Sequence, residues 1–243
     1  MTRKCACLAA ILAAIMTGAV VCQGRVFFTW GAAAQSLRTL EALGGTLAYQ
    51  ASVTVNAGKG KLAVFAFRRP IGEVVADVTR AFAIPGFAYG GGSLGYGLVS
   101  TNGRALRFVA IRVEAQAQTI VFLVDQSDEE RRRSAAPPVE ALPAALPAYP
   151  GSEPVFYASD ENAGMSLAIS RARSEPAQVR RAMDSAMESG DWRPAHPATG
   201  AAMPGPGMRV YLKQQEICCV LVDASEKDGE SRITVLHKQR GMK

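Results

Sequence analysis

The side chains that could do acid–base chemistry are few in this chain of 243 residues. Of the two histidines, His196 lies in a proline-rich loop and His237 ends the last predicted strand. Neither has an acidic or nucleophilic neighbour at a spacing typical of a catalytic site. The carboxylates within 160–161 and 228–230 fall in predicted turns, so their spacing indicates no general acid–base pair. We therefore predict no catalytic residue.

The five cysteines give no metal-binding or disulfide pattern. Cys5, Cys7 and Cys22 lie in an N-terminal apolar run, whereas Cys218 and Cys219 are adjacent on a predicted strand. Neighbouring side chains on a strand point to opposite faces, so a disulfide between the last two would distort the backbone. We predict that both are small buried side chains, and we predict no metal ion and no cofactor.

A glycine-rich stretch at residues 90–93, followed by Gly95, has the composition of a phosphate-binding loop. Such a loop follows a strand and opens a helix, and Lys and Ser or Thr close its motif. Here a predicted helix precedes the glycines and a predicted strand follows them. We therefore interpret the stretch as a flexible connecting loop and not as a nucleotide site.

Long loops follow both predicted helices, at residues 86–97 and 193–207. They are the predicted contact surfaces, because loops carried on a rigid scaffold commonly hold binding residues. Phe87, Tyr89 and Tyr96 give the first loop three aromatic side chains. These three are the candidate binding residues for a protein partner, a small ligand or peptidoglycan, provided that they lie together on one surface.

The N-terminal segment carries the clearest signal in the sequence. Arg3 and Lys4 precede an uncharged apolar run at residues 5–22. A basic start followed by an apolar run directs a chain to the export machinery. We predict a signal peptide or membrane anchor over residues 1–30. The protein would then be exported to the periplasm or anchored in the inner membrane of a bacterium.

The fate of this segment stays open, because the apolar run is slightly long for a signal-peptide core and slightly short for a membrane span. Cleavage would use the small residues at 32–34, and a retained anchor would continue through Trp30. Lipidation of Cys22 is disfavoured, since Val21 is larger than the residue normally found before a lipidated cysteine.

Composition bounds the class of protein. A hydrophobic fraction of 49% and a charged fraction of 20% are ordinary for a folded globular chain. The formal net charge is +6, but no basic stripe with interleaved aromatic side chains is present. The sequence therefore does not indicate binding to nucleic acid.

The order of predicted elements is the same on both sides of a proline-rich, charged segment. Asn56 and Asn162 each begin an Asn-Ala-Gly turn between two predicted strands, and Pro70 and Pro176 each open a predicted amphipathic helix. Three predicted strands follow each helix. We predict an α+β fold of two tandem ββαβββ units, each an antiparallel sheet with one helix, after an N-terminal apolar helix. Two unrelated α+β domains are the alternative.

The predicted domains follow from this repeat. They are a helical connector at 31–45, a first unit at 46–126, a Pro-rich charged linker at 127–148 and a second unit at 149–239. Residues 120–124 and 217–222 are apolar at every position, so both faces of these strands should be buried. One helix covers only one face of a sheet, so the other face would meet the other unit or, in a homodimer, a second chain.

The second unit resembles domains of bacterial exported proteins and lipoproteins of unknown function. The resemblance rests on the Tyr149-Pro150-Gly151 segment before the first strand and on a helix that ends near Gly190 and Trp192. An aspartate separates that glycine from the tryptophan, where such domains have Gly-Trp directly. The resemblance implies an envelope location and a small α+β fold, and it implies no activity and no site residues.

Together these features predict a non-enzymatic, envelope-associated binding or assembly protein. It would have a protein partner in the envelope and would contact the membrane through its N-terminal segment. An envelope enzyme with a site between the two units is the alternative function.

Overall fold

The structure is a computed structural model, and it describes residues 31–56, 58–87, 89, 94–113, 118–134, 146–195, 208–225 and 229–239. Within these residues there are four helices and eleven strands. The helices are α1 (Gly31–Ala42), α2 (Ile71–Phe82), α3 (Asp128–Arg133) and α4 (Pro176–Ser189). The strands are β1 (Thr46–Val55), β2 (Gly58–Phe67), β3 (Leu94–Thr101), β4 (Arg104–Val113), β5 (Gln118–Ser127), β6 (Glu153–Asp160), β7 (Met165–Ala172), β8 (Arg193–Pro194), β9 (Met208–Lys213), β10 (Glu216–Ala224) and β11 (Ser231–Gln239).

The described residues fall into two compact units. The first contains the chain from α1 to Ala51, Lys61–Tyr89 and Gly95–Asp128. The second contains Ser52–Gly60, Leu94 and the described residues from Glu129 onward. The second unit therefore includes the last residues of β1 and the first residues of β2 as well as β6 to β11.

Helix α2 supplies the core of the first unit. Pro70 precedes it with φ of −59°, and Ala83 ends it in the left-handed conformation with φ of 48°. The predicted apolar stripe is present: four of its side chains are buried, and Phe82 packs against Phe108 with ring centroids 4.8 Å apart. This stripe lies on the alternate inward-facing side chains of β2, β4 and β5.

Helix α4 has the same role in the second unit. Pro176 occupies the first helical turn, where its missing N–H is harmless, and Gly190 follows the last turn. The buried face carries Val179, Met183 and Met187. The Trp192 side chain is also buried in this core, beyond the end of the helix.

The predicted fold class was wrong. The protein is mostly β, and the strands do not form the tandem ββαβββ layout with two separate sheets. They hydrogen-bond in a single order, β3-β4-β5-β2-β1-β6-β7-β11-β10-β9-β8, and the described registers are antiparallel. The physical reason lies at the end of β1, where Thr54 and Val55 pair with Ser159 and Ala158 of β6. Pairing satisfies backbone groups that an edge strand would otherwise leave open.

The predicted N-terminal apolar helix lies at residues 1–30, outside the described residues. Among the helices that the structure describes, none is both long and apolar enough to cross a membrane. The segment expected to be a linker contributes helix α3, and Leu146 near its end is buried in the core of the second unit.

The predicted burial of two strands on both faces is confirmed. In β5 all eight side chains between the two ends are buried, and in β10 the six from Ile217 to Val222 are buried. A continuous apolar run in the sequence therefore correctly indicated a strand whose two faces are both covered.

Candidate functional site

A pocket of about 340 Å³ lies within the second unit, beside the turn that leads into β6. We call it the turn pocket. It is lined by Tyr149, Pro150, Gly151, Glu153, Arg171, Arg173, Ser174 and Glu230. These side chains come from three parts of the chain: the turn with the start of β6, the end of β7, and the residue before β11.

The turn itself forms one wall. The N–H of Ser152 donates to the carbonyl oxygen of Tyr149 at 3.1 Å, and Gly151 has a φ of 74°. In a type II turn, proline is common at the second position and the third residue has a positive φ. Glycine adopts a positive φ without strain. The Tyr-Pro-Gly sequence therefore fixes where the chain enters β6.

Ser174 anchors the turn to the rest of the unit. The Tyr149 hydroxyl donates to Ser174 Oγ at 3.0 Å, and the Ser231 hydroxyl donates to the Ser174 carbonyl oxygen at 2.5 Å. Ser231 is itself a β11 residue opposite Ala172 of β7. The wall of the pocket is thus tied by hydrogen bonds to two paired strands, which keeps its shape defined before any ligand binds.

Four charged side chains surround the pocket. Glu153 lies opposite Arg171 in the β6–β7 pairing, and its carboxylate is 3.9 Å from Arg171 Nη2 and 3.8 Å from Arg173 Nη2. These ion pairs are long and exposed, so each contributes little to stability. Glu230 is different, because its Oε2 is shielded from solvent and accepts no hydrogen bond in the described part of the chain.

The charged side chains of this pocket can bind a ligand through hydrogen bonds. Guanidinium groups stay charged and donate hydrogen bonds, and carboxylates accept them. The lining includes no cysteine, histidine or lysine, and the described residues contain no group of three or more side chains able to hold a metal ion. The hydroxyls of Tyr149 and Ser174 bond to each other.

The three aromatic side chains predicted to bind do not share one face. Phe87 packs against the core of the first unit, over Gly95 and Gly97 of β3, where an added Cβ would come within 2.7 and 2.6 Å of its ring. Tyr96 lies between these glycines on the strand, so its side chain points to the opposite face. Tyr89 is partly buried against the same core as Phe87. Their role in binding stays a prediction.

Part of the loop at 86–97 and most of the loop at 193–207 lie outside the described residues, and so does His196. The predicted protein partner and homodimer therefore stay predictions.

His237 is the histidine that the structure brings beside an acid. Its Nε2 lies 2.7 Å from Oε2 of Glu216, and its ring stands edge-on to Trp192. Cys218 lies directly opposite His237 in the β10–β11 pairing. Burial raises the pKa of the Cys218 thiol, which keeps it protonated and unreactive. This cluster therefore packs the core and does not assemble a nucleophile.

Sequence reasoning missed the charged side chains of the turn pocket. The Tyr-Pro-Gly segment was visible, but its role as a pocket wall was not. The Arg-x-Arg spacing at 171–173 places two guanidinium groups at the end of a strand. This spacing was the one local sequence signal for the charged side chains of the pocket. Glu230 reaches the pocket only through the pairing of β11 with β7.

Comparison of this chain with models of protein families, with curated proteins and with solved structures finds no match.

Proposed function

We propose that this protein is a non-enzymatic, envelope-associated binding or assembly protein, and that the turn pocket is its site for a small ligand. The observation that carries the proposal is the pocket itself. It is concave, its wall is held by hydrogen bonds to paired strands, and it presents two arginines whose ion-pair contacts to Glu153 are long. Pockets with a few convergent polar groups on a rigid scaffold are the usual form of a small-molecule site.

The state of the reactive side chains supports binding over catalysis. Burial raises the pKa of both thiols in the second unit, that of Cys219 to about 12. The His237 side chain is buried, and its Nε2 lies within hydrogen-bond distance of Glu216. Groups held in this way lack the access to substrate that acid–base or nucleophilic catalysis requires.

The N-terminal sequence supports the envelope setting. A basic pair followed by an uncharged apolar run is the pattern that the export machinery recognises. Fractionation of cells that produce the full chain, followed by N-terminal sequencing of the recovered protein, tests this part. We expect the protein in the membrane or periplasmic fraction. Recovery of the uncleaved chain from the soluble cytoplasm would contradict it.

A charge reversal at the pocket tests the binding site. The full-length protein, Arg173→Glu and Arg132→Glu are each incubated with an ultrafiltrate of envelope extract, and the retained small molecules are identified by mass spectrometry. Arg132 is the matched control, because it is an exposed arginine on α3 and does not line the pocket. We expect the same molecules on the wild type and on Arg132→Glu, and their loss on Arg173→Glu.

Equal retention by all three proteins, or no specific retention by any of them, would rule out the turn pocket as the ligand site. Arg173 is suited to this test because its side chain is 84% exposed, so the substitution leaves the core unchanged.

A further inference from the structure

We infer that the ligand of the turn pocket is a small zwitterion, of the size of an amino acid or a dipeptide. Its carboxylate would meet Arg171 and Arg173, and its ammonium group would meet Glu230. The inference rests on the proposed function, because it assumes that this pocket is the ligand site.

The two arginines of the pocket indicate that one end of the ligand is negatively charged. The one ion-pair partner that either arginine has in the described chain is Glu153, at 3.8 to 3.9 Å. A guanidinium group has five N–H donors, so most of the donors of Arg171 and Arg173 remain available. Planar guanidinium groups match the geometry of a carboxylate and bind it through charge-assisted hydrogen bonds.

Glu230 indicates that the other end of the ligand is positively charged. Its Oε2 is removed from solvent and has no hydrogen-bond donor among the described residues. Continuing the β7–β11 register beyond Ser231 opposite Ala172 places Glu230 opposite Arg173, yet no ion pair joins the two side chains. An acceptor that has lost water and gained no donor is unfavourable. Because Glu230 lines the pocket, a ligand ammonium group can lie beside this carboxylate and compensate its charge.

The balance of charge favours one molecule that carries both groups. The pocket has two guanidinium groups and two carboxylates, and their formal charges cancel. A ligand with only a negative charge would be attracted by the arginines but repelled by Glu153 and Glu230. A ligand with only a positive charge would be attracted by the two glutamates but repelled by the arginines. A zwitterion has an opposite charge available for each side of the pocket.

The volume sets the size of the ligand. Pockets for drug-sized ligands span roughly 300–1,000 Å³, so a pocket of about 340 Å³ is at the lower end. That space suits a single amino acid or a dipeptide.

The test compares ligands that carry one charge or both. The full-length protein is titrated with alanyl-alanine, alanine, acetate and ethylamine, and binding is measured by chemical-shift changes in NMR spectra. We expect alanine or alanyl-alanine to bind at least about tenfold more tightly than acetate or ethylamine, because only the zwitterions make both charge-assisted contacts. The two zwitterions together report which ligand size the pocket accepts.

Two variants assign the two ends of the ligand. Glu230→Gln should weaken zwitterion binding by about tenfold and leave acetate binding unchanged or tighter, whereas Arg173→Gln should weaken both. Glu161→Gln is the matched control, since Glu161 is an exposed glutamate in the β6–β7 turn and does not line the pocket. Arg173→Gln changes an exposed side chain, so it keeps the test valid if Glu230→Gln fails to fold.

The inference is overturned if acetate binds as tightly as the zwitterions, or if neither folded variant changes zwitterion affinity. If the zwitterions do not bind, but retention of molecules from the envelope extract still depends on Arg173, the inferred ligand class is wrong and the turn pocket remains the ligand site. If retention does not depend on Arg173, the proposed function fails as well.

Discussion

Asn56 pairs with Tyr157 through both its backbone and its side chain. The N–H of Asn56 donates to the Tyr157 carbonyl oxygen at 2.8 Å, and the Tyr157 N–H donates to Asn56 Oδ1 at 2.9 Å. The Asn56 side-chain amide also donates to the carbonyl oxygen of Ser134 at 2.8 Å. Asn56 itself has a φ of 50°, a conformation that asparagine tolerates better than most residues. One side chain thus joins the end of β1 to β6 and to the end of α3.

Replacement of this asparagine should weaken the pairing of β1 with β6. Asn56→Ala leaves the Tyr157 N–H and the Ser134 carbonyl without these partners, so we expect the free energy of unfolding to fall by about 2–3 kcal/mol. Urea denaturation measures the change. Asn102→Ala is the control, because Asn102 has a similar φ of 49° and makes no side-chain hydrogen bond in the described structure. The control should lose only about 1 kcal/mol, and equal losses in both variants would show that the side-chain bonds contribute nothing.

The stability of the first unit should depend on pH through Asp77. The Arg69 guanidinium, which donates to Asp77 Oδ2 at 2.5 Å, holds the pKa of this carboxyl below its usual value. A lowered folded pKa means that the ion pair stabilises the protein above the unfolded pKa and is lost as pH falls through the folded pKa. We expect Asp77→Asn to be less stable than wild type near neutral pH, and the two to converge below about pH 4.

Denaturation in urea across this pH range measures the difference. Glu41→Gln is the control, since Glu41 is an exposed acid in the same unit and forms no ion pair in the described residues. A difference between wild type and Asp77→Asn that stays constant from neutral to acid pH would show that Arg69 does not perturb this carboxyl.

Cys218 and Cys219 should resist alkylation in the folded protein. Both side chains are buried, and burial raises the pKa of the Cys219 thiol to about 12 and that of Cys218 further. Iodoacetamide attacks the thiolate, so at mildly alkaline pH the peptide that contains both should stay unmodified. Peptide mass spectrometry after treatment of native and denatured protein checks this. Arg173→Cys provides an exposed thiol as the positive control, and modification of Cys218 or Cys219 at a similar native rate would contradict the burial.

The positions of the elements could be predicted from the sequence, but their pairing could not. Helix α2 follows Pro70 and helix α4 begins at Pro176, as predicted, because prolines at helix starts and apolar periodicity are local signals. The β1–β6 pairing depends on Asn56 and Tyr157, which are 101 residues apart in sequence. A repeated order of elements suggested two separate sheets, since nothing local distinguishes a free strand edge from a paired one.

The same limit applies to the candidate site. Tyr149, Pro150 and Gly151 carry a turn signal that the sequence displays. The charges of the pocket come from the ends of β7 and β11, which approach the turn only when the sheet forms. A pocket assembled from three separate segments has no sequence pattern of its own, whereas a cluster of aromatic side chains in one loop is visible in the sequence.

The conformation of Gly151 should matter to both stability and binding. An added Cβ at Gly151 meets open space, but the φ of 74° is strained for alanine. We expect Gly151→Ala to lower the free energy of unfolding by about 1 kcal/mol and to weaken ligand binding by distorting the pocket wall. Gly86→Ala is matched to it, with a φ of 70°, open space around the added Cβ and a place outside the pocket.

Urea denaturation and zwitterion titration of both variants separate the two effects. The two should lose similar stability, because the backbone strain is the same, while only Gly151→Ala should lose affinity. Equal affinities for the two variants would mean that the turn does not shape the binding site, since strain at the wall would then leave the ligand contacts untouched.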